Sequence, residues 1–168
     1  MAILKLRKYG NPVLRRRAEE ISVIDDEIKK LAADMVETLK SIKGIGLAAN
    51  QVGVAKRIFV IDRIHIDGEE EPVIMLNPEL IESSEEQVIE EGCLSAPGIY
   101  ENVIRARRVK VKGLNLEGKQ VEIVGEGLLS RALLHEIDHL NGVLFIDHLS
   151  TIKRKLLGKK LRKISEER

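Results

Sequence analysis

Apolar residues recur at Ile28, Leu31, Met35, Leu39 and Ile42, in steps of three and four that turn one face of a helix toward a core. The amphipathic helix predicted over residues 25–43 opens on acidic residues and closes on basic ones, the order its peptide dipoles favour. Upstream, NPVLRRRAEEI reads as a turn into a short helical piece, with Pro12 suited to a first helical position. RIFVID (57–62) and PVIMLNP (72–78) are predicted strands, separated by the acidic turn IHIDGEEE, where His65 is expected to be solvated. Strand-like pieces continue over 79–90 and end in QVIEEGCLS. NVIRARRVKVKGLNLEGKQVEIV alternates apolar and basic residues and turns at Glu117-Gly118, the pattern of a hairpin with one solvated face. GLLSRALLHEIDHLNG (127–142) is a helix stopped near Asn141-Gly142, and TIKRKLLGKKLRKI is a basic amphipathic tail. No repeat, linker or low-complexity segment interrupts the chain. The predicted fold is α+β: mixed and antiparallel strands around one central helix at 127–142, with an N-terminal amphipathic helix and a C-terminal helix.

At 168 residues the chain fits one domain, 1–168, with the basic tail at 150–168. Hydrophobic residues make up 43% and charged residues 33%, the balance of a soluble globular protein. A net charge of +1 gives no bulk attraction to nucleic acid or membrane. Aromatic residues are only 2%, so aliphatic side chains must build the core and stacking on bases has little to work with. The abundance of Lys, Arg and Glu beside scarce Gln fits a protein working at high temperature. One cysteine, Cys93, forbids an intramolecular disulfide and leaves buried filler, nucleophile or metal ligand as its roles. MAILKLRKYGNPVL carries no export signal, and the expected location is the cytoplasm.

HEIDHLNG (135–142) bears the most specific chemistry. Histidines four apart share one helix face, and Glu136 between them completes His-Glu-x-x-His. In that pattern two imidazoles grip one cation, and the carboxylate takes a proton from its bound water. A third protein ligand is then required. One protease pattern would place a histidine where Phe145 stands, and His148 comes three residues too late. Another draws on a downstream glutamate, but only Glu166 and Glu167 follow at that distance. Cys93 in the turn-like EGCLSAPG remains as candidate, a soft ligand suited to Zn, Fe(II), Co or Ni.

GIGLAANQVG, EGCLS and HEIDH together, in this order and spacing, resemble the three motifs of the peptide deformylase family, and the similarity runs from NPVLR to FID at 145–147. The resemblance implies a metallohydrolase that removes the N-formyl group from the formyl-methionine of newly synthesised polypeptides and releases formate. It places one divalent metal per chain on Cys93, His135 and His139, with Fe2+ expected in the cell and Zn2+, Ni2+ or Co2+ in purified protein. Metal-bound water would be the nucleophile and Glu136 the general base, which later delivers the proton to the departing amine. Gln51 and the backbone N–H of Leu94 would stabilise the oxyanion. Gly46 matches a substrate-contacting glycine. Ile45, Ile89, Leu128 and Ala132 match the methionine pocket, Arg131 a further pocket position, and Arg105 an arginine near the peptide path. Ala96 stands where many members carry a larger aliphatic residue. A thiolate-bound ferrous ion would make oxidation a failure mode. The tail from Lys153 to Lys163 resembles a helix by which some members dock on the ribosome; no membrane and no sequence-specific nucleic acid is expected as a partner.

Three rivals make different demands. An HExxH protease needs a ligand after His139. A structural metal domain needs a fourth protein ligand and leaves Glu136 without purpose. A deformylase-like enzyme acting on another N-acyl group would keep Gln51, Cys93 and Glu136.

Overall fold

The computed structural model describes residues 2–167. Helix α1 spans Asp26–Ser41 and begins where the Asp25 carboxylate accepts the Ile28 N–H. Its buried face carries Ala32, Met35 and Leu39, and also Asp34 and Thr38. The two polar groups are spent on the chain's start: Ala2 N–H donates to Asp34 at 2.7 Å and Leu4 N–H to Thr38 Oγ at 2.8 Å. The helix ends two residues before the expected Lys43, which adopts positive φ ahead of Gly44.

Five strands form one sheet in sequence order: β1 Gly46–Ala48, β2 Ile58–Ile61, β3 Val73–Cys93, β4 Ala96–Leu114 and β5 Gln120–Glu126. Every strand pair is antiparallel, in keeping with the α+β fold of mixed and antiparallel strands expected from the sequence; the parallel bridge Glu19–Lys56 lies outside these strands. The pieces expected over 72–90 are one long strand. Register shifts between Leu76 and Glu79 and between Leu80 and Glu82 break its alternation, and Asn77 adopts positive φ there. The Asn77 side chain fastens this irregularity by pairing with both backbone groups of Ile21. β3 returns into β4 through Leu94–Ser95, with Cys93 paired to Ala96, so Cys93 closes a tight hairpin. The hairpin expected around Glu117-Gly118 is the β4–β5 connection.

Helix α2, Leu128–Leu140, lies against the sheet, and Leu129, Ala132, Leu133, Ile137 and Leu140 pack on Phe59, Ile61, Met75, Val109 and Val111. Gly125 allows the close approach, because a Cβ there would meet Leu133 and the Ser130 backbone. The buried Arg57 donates to Leu140 O and Asn141 Oδ1, both at 3.0 Å, and so closes the helix's carboxyl end. The basic tail forms α3, Thr151–Glu167. Its Leu157, Leu161 and Ile164 are buried in a second cluster with Leu14, Val103, Phe145 and Leu149, so it is an integral part of the fold.

Candidate active site and metal centre

The 3.6-residue turn of α2 stacks His135 and His139 on one face, and the β3–β4 turn presents Cys93 to them. The Cys93 sulfur and one nitrogen from each histidine lie within 4.8 Å of one another. His139 Nε2 is 3.2 Å from Cys93 Sγ and 3.1 Å from His135 Nε2. Two nitrogens sharing one tetrahedral ion with bonds near 2.0–2.1 Å would be roughly 3.3 Å apart. Both histidines are buried and Cys93 is half-buried, and His139 Nδ1 has no hydrogen-bond partner among the described residues. One sulfur and two imidazoles fit Zn2+, Fe2+, Co2+ or Ni2+ and leave a coordination position for substrate or water.

Glu91 holds the first histidine from behind. Its fully buried carboxylate meets His135 Nδ1 at 2.5 Å and accepts from Arg105 Nη2 at 2.7 Å and Nε at 3.1 Å. Arg105 also donates to Asp138 at 2.6 Å, and His148 Nε2 lies 2.8 Å from the same Asp138 oxygen. Burial alone would raise the Glu91 carboxyl; the hydrogen bonds from His135 and Arg105 outweigh it and hold it at about 2. Burial disfavours a charged His135, but the charge of Glu136, the Cys93 sulfur and Glu91 override it and hold its pKa well above the usual value. The same negative surroundings favour any cation held at this nitrogen pair.

A cleft of about 440 Å³ opens beside these groups, lined by Ile45, Gly46, Gln51, Leu94, Ala132 and Glu136 among others. Glu136 is buried, and its Oε1 lacks a hydrogen-bond partner among the described residues. Desolvation pushes its carboxyl up to about 7, the range in which a group can take and return a proton at neutral pH. A Cβ on Gly46 would overlap this carboxylate, which explains the glycine. Gln51 enters from the 3₁₀ turn Ala49–Val52; its Oε1 accepts from Ala48 N–H at 3.0 Å, and its Nε2 donates to Ser95 Oγ at 3.1 Å and faces Cys93 Sγ at 3.6 Å.

The structure thus brings Cys93, His135, His139, Glu136, Gln51, Leu94, Gly46, Ile45 and Ala132 to one place, with Arg131 on the cleft wall. It does not bring Ile89 and Leu128 there: both are half-buried and outside the cleft lining. Arg105 is also corrected. It is buried, and its guanidinium is spent on Glu91 and Asp138 rather than on the peptide path. His148, rejected as a ligand from spacing, belongs to that ion-pair network, and His65 is exposed in its turn. Sequence reasoning missed Glu91, Ser95, Asp138 and His148 as supports of the site.

The family model for polypeptide deformylase matches residues 3–155. A peptide deformylase of Thermodesulfovibrio yellowstonii is 48% identical over 162 residues, 96% of this chain and 98% of its own length. The solved peptide deformylase of Legionella pneumophila superposes with a TM-score of 0.91 at 44% identity, covering 98% of this chain and 96% of the other. That of Thermus thermophilus gives a TM-score of 0.91 at 36% identity, covering the whole of both chains. On sequence and fold alike, this chain belongs to the polypeptide deformylase family.

Proposed function

We propose that the chain hydrolyses the formyl amide of N-formylmethionyl peptides, releasing formate and a free amino terminus. The observation that carries the reading is the buried Glu136 carboxylate, its Oε1 without a hydrogen-bond partner among the described residues, on the histidine-bearing helix at the edge of a cleft. Cys93, His135 and His139 would hold one divalent ion, Fe2+ in the cell. Such an ion, when bound, polarises a carbonyl oxygen and brings the pKa of water from about 16 toward 7. Glu136 accepts the proton of the attacking water and passes it to the amide nitrogen, which leaves poorly unless protonated. Gln51 Nε2 and the Leu94 N–H supply donors for the charge that gathers on the formyl oxygen, and removing one such donor costs about 2.7–4 kcal/mol of barrier. Ile45 and Ala132 offer the apolar wall for the methionine side chain, with the aliphatic stem of Arg131 beside them.

No helix of the described residues is long and apolar enough to cross a membrane. The enzyme would act on nascent chains in the cytoplasm. Lys159, Lys160 and Lys163 on the exposed side of α3 would give transient contact with ribosomal phosphates. Because the opposite side of α3 is core, the test is Lys159→Glu with Lys160→Glu rather than removal of the tail; unchanged ribosome co-sedimentation at low salt refutes that contact. For the activity itself, formyl-Met-Ala-Ser and acetyl-Met-Ala-Ser are offered to anaerobically metallated protein. Rapid formate release with the acetyl peptide left intact supports the reading. Preference for the acetyl peptide replaces it with a different deacylase.

A further inference from the structure

We propose that Ser95 is a positioning residue that aims the side-chain amide of Gln51, an inference that rests on the deformylase reading for its catalytic consequence. Four observations meet at this pair. Both residues are about 1% exposed, so the contact between their side chains is shielded from water. Their backbones are fixed by one extended segment: Arg7 N–H donates to Gln51 O at 2.7 Å, and Tyr9 N–H to Ser95 O at 2.8 Å. The Ala48 N–H, which can only donate, takes Gln51 Oε1 and thereby settles which end of the amide is oxygen. The amino end then has two hydrogens, and Ser95 Oγ, at 3.1 Å, accepts one of them.

The second hydrogen is left on the side of the Cys93 sulfur, 3.6 Å from Nε2, within the cleft. Taking one hydrogen therefore decides where the other points. Without the hydroxyl, the amide keeps its oxygen contact to Ala48 and only the long contact to the Cys93 sulfur at its amino end, and it can swing about its terminal torsion, which is soft. Ser95 itself is absent from the cleft lining, so it acts through Gln51 rather than on substrate. The backbone N–H of Ser95 also lies 3.4 Å from Cys93 Sγ, but a side-chain substitution leaves that contact in place.

The test is Ser95→Ala, alone and combined with Gln51→Ala. On formyl-Met-Ala-Ser, Ser95→Ala should lower kcat by about 10- to 100-fold with KM little changed, the cost of a misaimed group. In the Gln51→Ala background the same substitution should change kcat less than about twofold. An independent readout is the Gln51 side-chain NH2 resonance of 15N-labelled, Zn(II)-loaded protein, assigned by its loss in Gln51→Ala. Its protons should exchange slowly in the parent and quickly in Ser95→Ala. An unchanged kcat, or a loss that persists in full without Gln51, overturns the proposal. If the parent leaves formyl peptides intact, the deformylase reading fails, and an amide resonance unaltered by Ser95→Ala overturns the positioning of Gln51 separately.

Discussion

Glu91→Gln should weaken metal binding and the fold together, and the two losses can be separated. The wild-type carboxylate, with no solvent exposure, serves His135 Nδ1 and two nitrogens of Arg105. A glutamine keeps the volume but removes the charge and sets an N–H2 against donors. Removing one partner of a buried ion pair costs about 3–5 kcal/mol. Arg105 keeps Asp138 at 2.6 Å, so the lower end applies. About 3 kcal/mol in a chain of this size lowers the melting temperature by roughly 6–12 °C. Loss of the hydrogen bond behind a ligating histidine should also weaken the metal by about 10–100-fold. Asp138→Asn is the contrast, since Asp138 touches Arg105 and His148 but not a ligand nitrogen. It should lower the melting temperature while changing metal affinity less than about threefold. Zn(II) competition with a chromophoric chelator, beside calorimetry, reads both quantities. An affinity change below twofold in Glu91→Gln, or equal changes in the two variants, would show that the network is structural only.

The pH dependence of stability follows from the same carboxyl. Its folded pKa of about 2 lies below the ordinary 4.5, so its contribution is full above about 4.5 and is lost as pH falls toward 2; the gap between the urea midpoints of wild type and Glu91→Gln should be narrower at pH 3.5 than at pH 6. Gly46→Ala should fold but lower kcat at least about tenfold, because the added Cβ displaces the Glu136 carboxylate; unaltered kinetics would refute that close approach. Leu161→Ala, in the buried face of α3, should cost about 2–5 kcal/mol in denaturant unfolding while leaving kcat near wild type.

The histidine pair was legible because its chemistry is written in local spacing: four residues on a helix bring two imidazoles together whatever the rest of the fold does, whereas Cys93 came from elimination and resemblance. Their supports were not. Glu91 sits in the run EEQVIEEG, and only the strand's phase decides which carboxylate turns inward; the register shifts near Leu76 and Leu80 scramble that phase. The same bulges made one long β3 look like separate pieces. Asp34 and Thr38 occupy the buried side of α1 because the chain's own start pairs with them, a partner from more than thirty positions away. Ile89, Leu128 and Arg105 were placed by resemblance; the first two are half-buried outside the cleft lining, and Arg105 is buried in its ion pairs with Glu91 and Asp138. The tail's lysines advertised a solvated helix, while three spaced apolar residues bind it to the core.

On the proposed function, Glu136 moves the proton in hydrolysis of a formyl amide at a Cys93–His135–His139 metal centre. The most direct test is formate release from formyl-Met-Ala-Ser by wild type and Glu136→Ala, both anaerobically loaded with Ni(II) and assayed for bound metal. The expected result is one metal per chain in each, with turnover lost by at least about 100-fold in the variant. Full metallation with turnover undiminished in Glu136→Ala would contradict the assignment.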